Sequence, residues 1–282
     1  MAYGTIGVVG CGLMGSGIAQ VAAQSGYRTI VREIDDATLA AGIGRIEAFL
    51  EAGLERGKVS VEQRDRTLSN LTGTTRLEEL AGCDLIIEAI VENADAKHEV
   101  FSRLEPVVGP STVFASNTSS LCITQLASTT HRPDRFIGLH FFSPVPVMKL
   151  VEVIRGLATS NATYEGVFAF GRSLGKDPVT APDRPGFIAN RLLIPYLLDA
   201  IRAYESGVGT IEDIDKTMTL GCGHPMGPFT LLDFVGLDTT YYIAGIMYDE
   251  FGDPRYAPPP LLKRMVLAGR HGRKSGRGFY RY

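Results

Sequence analysis

The chain has 282 residues, of which 45% are hydrophobic and 21% are charged, and its formal net charge is −3. This is ordinary globular composition, which excludes a disordered or fibrous protein, and the lack of a basic excess argues against nucleic acid as a partner. No apolar stretch reaches the roughly 18 residues of a membrane span, the N-terminus lacks a signal-peptide pattern, and the four cysteines lack metal-ligand spacing. We therefore expect a reduced, cytoplasmic protein of two domains, without a membrane partner or a metal site.

Over the first 180 residues, short apolar runs alternate with longer amphipathic stretches. The apolar runs predict strands at Thr5–Val9, Thr29–Val31, Leu85–Ala89, Val113–Ala115, Phe136–Leu139, Leu150–Ile154 and Pro178–Thr180. The amphipathic stretches predict helices at Gly15–Ser25, Ala37–Arg56, Ala94–Glu105 and Thr163–Leu174. This alternation predicts a doubly wound, Rossmann-type α/β domain whose sheet is mostly parallel and covered on both faces.

Two parts of the chain depart from this alternation. Residues 37–70 predict a charged helical hairpin inserted into the first domain. After residues 182–186 the strand signals stop, and helices are predicted at Phe187–Ser206, Ile211–Leu220, Thr230–Tyr248 and Pro259–Ala268. We therefore divide the chain into an α/β domain of residues 1–186 and a smaller, all-helical domain of residues 187–282. Residues 254–282 carry eight basic and no acidic side chains, which form either a solvated surface or a site near an anionic ligand.

A glycine-rich turn follows the first predicted strand and opens the first helix. It has the pattern G-x-G-x-x-G and consists of Gly10, Cys11, Gly12, Leu13, Met14 and Gly15. In this context the first glycine permits a tight turn, the second lets the backbone approach a pyrophosphate, and the third allows the helix to pack closely on the strand. The N-terminus of the helix adds free N–H groups and the positive end of a dipole. The turn therefore predicts a dinucleotide site.

The residue that ends the second strand discriminates between dinucleotides. Glu33 lies 18 residues after Gly15, close to the position where an acidic side chain accepts hydrogen bonds from the adenosine ribose. Its carboxylate would repel a 2′-phosphate, which favours NAD over NADP. The neighbouring Arg32 leaves NADP open, because an arginine there can bind that phosphate.

Several longer motifs resemble those of the 3-hydroxyacyl-CoA dehydrogenase family. They are ASNTSSL at 115–121, LHFFSPVPVMKLVEV at 139–153, DRPGFIANR at 183–191, GPF at 227–229 with GLD at 236–238, and KSGRGFY at 274–280. With the glycine-rich turn they occur in order along the whole chain. The resemblance implies an NAD-dependent dehydrogenase of two domains. The length resembles the stand-alone members that act on 3-hydroxybutyryl-CoA, since no hydratase module is attached.

A histidine and a carboxylate lie on neighbouring predicted strands. His140 ends one apolar run, and Glu152 interrupts the next, twelve residues later. A lone histidine in such a run is usually a packed core residue, but a buried carboxylate needs a partner, and the spacing suits adjacent strands. A carboxylate on one imidazole nitrogen fixes the tautomer and leaves the other nitrogen to exchange a proton with the substrate. The resemblance assigns this catalytic pairing to these two positions.

Two further residues are predicted to contact the substrate. Ser119 lies in the loop after the strand Val113–Ala115, where ligands bind in a doubly wound sheet, although serine in such a loop also commonly caps a helix. The resemblance implies that Ser119 hydrogen-bonds the 3-oxygen of the substrate. Asn190 lies in the first helix of the second domain, where asparagine is an unfavourable residue, and the resemblance implies that it contacts the substrate near the reacting centre.

The resemblance also implies cofactor contacts from Glu92, Lys97, Asn117, Ser143 and Lys274. Three positions depart from the family: Ser143 stands where asparagine is common, and Arg32 and Glu33 stand where an apolar residue and aspartate are more usual. The helical hairpin corresponds to a region that contacts coenzyme A, and Arg56 and Lys58 are its candidate phosphate ligands.

We therefore expect reversible, NAD-dependent oxidation of a short-chain (S)-3-hydroxyacyl-CoA to the 3-oxoacyl-CoA, with His140 and Glu152 as the acid–base pair. Two alternatives remain open: a dehydrogenase of the same architecture that acts on a free β-hydroxyacid or an L-gulonate-type substrate, and a non-catalytic NAD-binding protein. The pathway is also open: butanoate metabolism, β-oxidation of fatty acids or degradation of aromatic compounds. The apolar helices of the second domain predict a homodimer formed through that domain.

Overall fold

The computed structural model describes residues 3–282. The chain divides after Asp183 into two compact units, of which the second is Arg184–Tyr282. The first unit contains a single large sheet with helices on it, and the second is built from helices. None of the helices in the described part of the chain is both long and apolar enough to cross a membrane.

One eight-stranded sheet forms the centre of the first unit. Its strands are β1 (Thr5–Val9), β2 (Arg28–Arg32), β3 (Leu71–Thr74), β4 (Leu85–Glu88), β5 (Val113–Ser116), β6 (Phe136–Phe141), β7 (Leu150–Arg155) and β8 (Asp177–Pro182). They lie in the order β3-β2-β1-β4-β5-β6-β7-β8. The first six strands are mutually parallel, β7 runs antiparallel to β6, and β8 runs parallel to β7. Because of this reversal, β7 begins at the same edge of the sheet at which β1 to β6 end.

Six helices accompany the sheet: α1 (Leu13–Gln24), α2 (Asp36–Glu55), α3 (Val61–Ser69), α4 (Ala94–Leu104), α5 (Ile123–Ala127) and α6 (Asn161–Ser173). The predicted helical hairpin is α2 and α3. Asp35 caps α2 by accepting a hydrogen bond from the Thr38 N–H (2.7 Å), and Ser60 caps α3 in a reciprocal capping box with Gln63. The predicted fold class, a mostly parallel Rossmann-type sheet with a helical hairpin and a following helical unit, is confirmed.

The strands at the centre of the sheet are buried on both faces. Every residue of β4, β5 and β6 is buried, which is why these strands appear in the sequence as continuous apolar runs. The edge strand β3 is not predicted by the sequence. Only Thr74 of its four residues is buried, and Gly73 lies in its interior, so the segment shows neither an apolar run nor an alternating pattern.

The last residue of the first unit caps a helix that lies 60 residues earlier in the chain. Oδ1 of Asp183 accepts a hydrogen bond from the Ile123 N–H (2.7 Å), and Oδ2 accepts from the N–H and the hydroxyl of Thr124 (2.8 and 2.5 Å). These are the first residues of α5, whose N–H groups no helical carbonyl can reach. Since α5 comes shortly after Ser119 in the chain, Asp183 connects the end of β8 to the segment that follows Ser119.

The second unit contains α7 (Ala189–Glu205), α8 (Ile211–Cys222), α9 (Pro228–Val235), α10 (Leu237–Phe251) and α11 (Pro260–Leu267). Its core is an apolar cluster drawn from these helices, including Leu197, Leu198, Ile201, Phe229, Leu232 and Met247. The prediction of one helix over Thr230–Tyr248 is wrong. Gly236 has a φ of 104°, a conformation that side-chain-bearing residues rarely adopt, and it ends α9 and precedes α10.

The basic C-terminal segment does not extend into solvent as a free tail. Both oxygens of the buried Asp233, in α9, accept hydrogen bonds from its backbone: Oδ1 from the Phe279 N–H and Oδ2 from the Tyr280 N–H, each at 2.8 Å. The hydroxyl of Tyr280 also donates to Oδ2 of Asp215 (3.0 Å). The end of the chain is therefore fixed to the helices of the second unit.

Candidate active site

The glycine-rich turn lies between the end of β1 and the start of α1. Gly10 has a φ of 94°, and its N–H donates to the carbonyl of Arg32 (2.9 Å) at the end of β2. A side chain on Gly15 would clash with the Gly10 carbonyl oxygen, so the first turn of α1 packs closely on this loop. No described atom lies within 4 Å of a Cβ placed on Gly12, the N-cap of α1. The helix N-terminus is therefore open to the approach of a phosphate.

The carboxylate of Glu33 lies against the same turn. Its Oε1 accepts a hydrogen bond from the Cys11 N–H (2.5 Å), and its Oε2 accepts one from the Ile34 N–H (2.9 Å). Arg45 of α2, which the sequence does not single out, donates to the Cys11 carbonyl (2.6 Å). Burial, with a smaller contribution from Glu33, raises the pKa of the Cys11 thiol to about 11, which favours the neutral thiol beside the Glu33 carboxylate.

Arg32 is buried beside Glu33, at 8% exposure. Burial and the charge of Arg103 lower the pKa of its guanidinium, and Glu33 and Glu78 oppose that shift. Its Nε has no hydrogen-bond partner among residues 3–282. Both residues that the sequence analysis predicts to bear on the choice between NAD and NADP lie at the end of β2.

Exposed apolar side chains surround the glycine-rich turn at the ends of three strands. Leu13, Ile34 and Val91 follow β1, β2 and β4 and are 70%, 72% and 70% exposed. Ligands of doubly wound sheets bind outside the carboxyl ends of the strands, and apolar side chains there offer surface to a ring system. The sequence predicts only Leu13. Ile34 directly follows Glu33, whereas Val91 lies three residues after Glu88, the end of β4.

The loop after β5 carries Ser119 and is held by Glu92. Oε1 of Glu92 accepts hydrogen bonds from the Thr118 hydroxyl (2.6 Å), the Ser119 N–H (2.7 Å) and the Ser119 hydroxyl (3.2 Å). The ammonium of Lys97 lies 3.3 Å from its Oε2. Burial acts to raise the pKa of Glu92, but Lys97 and these hydrogen bonds outweigh it and hold that pKa below its usual value. Three residues of the predicted site thus meet in one network.

Asn117 begins this loop and connects it to the neighbouring strand. Its Oδ1 accepts a hydrogen bond from the Phe141 N–H (2.9 Å), next to His140 at the end of β6. Its own N–H donates to the carbonyl of Glu88 at the end of β4 (2.8 Å). Ser143 is exposed in the loop that follows β6. Asn117 therefore ties together the ends of three neighbouring strands.

His140 and Glu152 are directly opposite each other on the antiparallel strands β6 and β7. Nδ1 of His140 lies 2.8 Å from Oε2 of Glu152, and the two residues are only 6% and 1% exposed. The ring of Phe142 packs against the imidazole with a centroid separation of 4.5 Å. Since Nδ1 is held by Glu152, the orientation of the ring is fixed and Nε2 is directed away from the carboxylate.

Four further predicted site residues belong to other elements of the chain. Asn190 is the second residue of α7 and is half-buried. Nζ of Lys274 lies 2.7 Å from Oδ2 of Asp238, in the first turn of α10. Arg56 and Lys58, at the end of α2, are exposed. Among residues 3–282, no group of three His, Cys, Asp or Glu side chains is arranged to hold a metal ion.

Comparison with known protein families shows to which family the chain belongs. Residues 5–184 match the 3-hydroxyacyl-CoA dehydrogenase, NAD binding domain, and residues 186–282 match the 3-hydroxyacyl-CoA dehydrogenase, C-terminal domain. The chain belongs to the 3-hydroxyacyl-CoA dehydrogenase family. The resemblance found in the sequence is confirmed, and so is the expectation that NAD is the cofactor.

Individual relatives cover nearly all of this dehydrogenase. A 3-hydroxybutyryl-CoA dehydrogenase of Mycobacterium tuberculosis is 51% identical over 279 residues, which are 98% of each chain. The crystal structure of M. tuberculosis FadB2 superimposes with a TM-score of 0.98 at 50% identity and covers 100% of both chains. That of (S)-3-hydroxybutyryl-CoA dehydrogenase PaaH1 from Ralstonia eutropha superimposes with a TM-score of 0.95 at 43% identity, covering 99% of each chain.

The residues of the first unit of this dehydrogenase fit a bound NAD. The open approach over Gly12 places the N-terminus of α1 where a pyrophosphate binds in Rossmann domains. The Glu33 carboxylate lies at the turn itself, where an acidic group accepts hydrogen bonds from ribose hydroxyls. Both observations concern the chain alone and agree with the family assignment.

Proposed function

We propose that this protein oxidises short-chain (S)-3-hydroxyacyl-CoA to 3-oxoacyl-CoA reversibly with NAD, with 3-hydroxybutyryl-CoA and acetoacetyl-CoA as its substrate pair. The observation that carries the proposal is the buried pair of His140 and Glu152, with Nδ1 and Oε2 at 2.8 Å. This pair lies at the sheet edge where ligands of doubly wound folds bind. The names of the two dehydrogenase relatives above support the choice of substrate.

In the proposed mechanism His140 is the acid–base residue. Nε2 of His140 accepts the proton of the 3-hydroxyl group during oxidation and returns it during reduction. Glu152 holds Nδ1–H, so the imidazolium forms next to a carboxylate that stabilises its charge. NAD, when bound, supplies the hydride acceptor for C3.

Two residues orient the substrate in this proposal. Ser119 contributes its hydroxyl to the 3-oxygen, from a loop that Glu92 holds through the Thr118 hydroxyl and the Ser119 N–H. Asn190, on α7, contacts the substrate near the reacting centre. The side chains therefore orient the substrate and accept its proton. In a hydride-transfer enzyme these are the contributions of the protein, since the cofactor takes up the hydride.

The cofactor contacts are proposed for the positions that the family resemblance indicates. The pyrophosphate is assigned to the turn Gly10–Gly15, the adenosine ribose to Glu33, and further contacts to Glu92, Lys97, Asn117, Ser143 and Lys274. The exposed Arg56 and Lys58 at the end of α2 are proposed to bind the phosphates of coenzyme A. Their exposure leaves both cations accessible to a ligand.

Each of the two domains has its own role in this proposal. Residues 1–186 form the NAD-binding domain and residues 187–282 the substrate and dimerisation domain. Homodimerisation is supported by four large apolar side chains of the second unit that are 73–77% exposed, Leu192, Val208, Leu220 and Leu267. The four cysteines are free thiols, which suits the reducing cytoplasm in which we place the protein.

The activity is tested by following NADH oxidation with acetoacetyl-CoA and with free acetoacetate. We expect rapid oxidation with the CoA ester and very little with the free acid. Similar kcat/KM values for the two would instead favour the free-acid dehydrogenase, and no oxidation with either would favour a non-catalytic NAD-binding protein.

Light scattering during gel filtration tests the dimer, and Leu192→Glu should increase the monomer fraction.

A further inference from the structure

Glu88, the last residue of β4, is a fully buried carboxylate for which the mechanism above has no role. Its Oε1 accepts hydrogen bonds from Nζ of Lys97 (2.5 Å) and from the Ile90 N–H (2.8 Å), and its Oε2 accepts one from the Ser116 hydroxyl (2.6 Å). A buried carboxylate is costly unless it is paired and hydrogen-bonded. Glu88 meets that condition with donors from α4, from the loop after β4 and from β5.

Lys97 connects Glu88 to Glu92. The lysine is 1% exposed, and its ammonium lies 2.5 Å from Oε1 of Glu88 and 3.3 Å from Oε2 of Glu92. Two carboxylates therefore share one buried ammonium; the side chain of Glu88 is fully buried and that of Glu92 is 26% exposed. Because a buried ammonium is only weakly screened by water, its position depends on both partners. Removing the charge of Glu88 leaves Lys97 to pair with Glu92 alone, which changes how the Glu92 carboxylate is held.

The Glu92 carboxylate in turn holds three consecutive residues of the loop. Its Oε1 accepts hydrogen bonds from Thr118, Ser119 and Ser120, the last at 3.3 Å. A second route leads from Glu88 to the same loop, since the Ser116 hydroxyl that donates to Glu88 also accepts from the Thr118 N–H (3.3 Å). Glu88 is thus connected to the loop at both its start and its middle.

We propose that Glu88 is a positioning residue of the dehydrogenase, which holds the loop at 117–120 through Lys97–Glu92 and through Ser116 so that the Ser119 hydroxyl is aligned with the substrate. This inference rests on the role proposed for Ser119. Misplacing a group at the reacting centre reduces the stabilisation of the transition state more than it reduces the affinity for the CoA ester, most of whose contacts lie elsewhere. Loss of Glu88 therefore lowers kcat and leaves KM for the CoA ester nearly unchanged.

The variant Glu88→Gln is nearly isosteric, removes the charge and replaces one of the two acceptor oxygens by a donor NH2 group. We expect kcat for acetoacetyl-CoA reduction to fall by roughly 10- to 100-fold, the scale of a misplacement of about 1 Å, and KM to change by less than about threefold. Glu105→Gln is the matched control, because it neutralises another partly buried glutamate, whose Oε1 pairs with Nε of Arg132 (3.0 Å) and not with Lys97 or Ser116. This variant should retain kcat. An unchanged kcat in Glu88→Gln overturns the proposal.

A double-mutant cycle separates positioning from a general loss of structure. If Glu88 acts through Ser119, Glu88→Gln costs little further activity in a Ser119→Ala background, since the group that it aligns is already absent. Full additivity of the two losses would mean that Glu88 only supports the fold, and the proposal would be wrong. Should Glu88→Gln fail to fold, Ser116→Ala removes one of the two routes with a small buried change and should lower kcat in the same way.

Hydrogen–deuterium exchange tests the same proposal without relying on activity. Amides of residues 117–121 should exchange faster in Glu88→Gln than in the wild type or in Glu105→Gln. If the wild type fails to reduce acetoacetyl-CoA, the proposed function is wrong, while the exchange measurement still decides whether Glu88 holds the loop. Unchanged exchange in this segment overturns the positioning role.

Discussion

The ammonium group of Lys176 donates hydrogen bonds to the carbonyl of Val145 (2.5 Å) and to that of Met148 (2.8 Å). Lys176 is buried at 6% exposure, and both acceptors belong to the loop between β6 and β7. That loop separates His140 from Glu152 and carries Ser143. A buried lysine therefore holds the connection between the two strands of the acid–base pair.

Lys176→Met should loosen this loop, because one buried and one partly buried carbonyl group lose their donor. We expect a loss of about 1–3 kcal/mol in the free energy of unfolding and a higher KM for NADH, through the displaced Ser143. Lys263→Met is the control, since Lys263 is an exposed lysine on α11 of the second unit. Denaturant unfolding and steady-state kinetics compare the two variants. Equal effects of the two substitutions would contradict a specific role for Lys176.

The same lysine predicts how stability depends on pH. Burial and the charge of Lys149 lower the pKa of Lys176 in the folded state, below the value of about 10.4 for an unfolded lysine. In the pH range just below 10.4 the unfolded chain then binds more protons at this position than the folded one, so this lysine contributes stability that rises with pH. The difference in the free energy of unfolding between wild type and Lys176→Met should grow from pH 8 to pH 10, and a constant difference would refute the shift.

Glu33 is expected to make NADH the preferred reductant. The carboxylate next to the ribose site should repel a 2′-phosphate, so kcat/KM should favour NADH over NADPH by at least tenfold, about 1.4 kcal/mol. Glu33→Gln should narrow that preference, while Arg32→Ala should widen it if the guanidinium binds the 2′-phosphate. Equal efficiency with both cofactors in the wild type would show that Arg32 dominates the site.

His140→Asn should lower kcat by roughly 10²–10⁴, the range for a positioned acid–base group, with little change in the affinity for NADH measured by fluorescence. Glu152→Gln should lower kcat as well and shift the pH profile, because the imidazolium loses its counter-charge. His131→Asn, at an exposed position, is the control and should be fully active. An unchanged kcat in His140→Asn would show that His140 is not the acid–base residue.

The nucleotide part of coenzyme A should contribute to turnover as well as to affinity. Binding energy from a remote handle can be used to orient the reacting carbonyl, so truncated substrates lose kcat. Acetoacetyl-CoA should therefore exceed the N-acetylcysteamine thioester in kcat/KM. Arg56→Ala and Lys58→Ala should narrow the difference in kcat/KM between the two thioesters. Arg76→Ala, which removes another exposed arginine, is the control and should leave that difference unchanged. If the difference persists in both Arg56→Ala and Lys58→Ala, the phosphates of coenzyme A bind elsewhere.

The sequence predicts those features that depend on residues close together in the chain. The glycine-rich turn is contiguous, and the contact between His140 and Glu152 follows from two apolar runs separated by one short loop. The sheet is predicted because its central strands are buried on both faces and appear as apolar runs. The edge strand β3 has no such run, and the break at Gly236 is hidden within a continuous helical pattern.

Contacts between distant segments are the part that the sequence does not reveal. Arg45 bonds to Cys11 across 34 positions, and Ser116 bonds to Glu88 across 28. Neither pair has a pattern in its local sequence, because a buried polar partner is selected by the packing of the folded sheet and not by periodicity. In the sequence Glu88 is only the last residue of an apolar run, and the structure shows that it bonds to Lys97 and Ser116.

The cap that Asp183 places on α5 decides where the first unit can be cut. A fragment that ends at Pro182 keeps every strand and helix of that unit but leaves the N–H groups of Ile123 and Thr124 without their carboxylate acceptor. Unsatisfied N–H groups of this kind cost about 1–3 kcal/mol each when buried, a large share of the stability of a typical domain. A fragment one residue longer keeps the cap, so a single side chain decides whether the first N–H groups of α5, in the segment after Ser119, retain their acceptor.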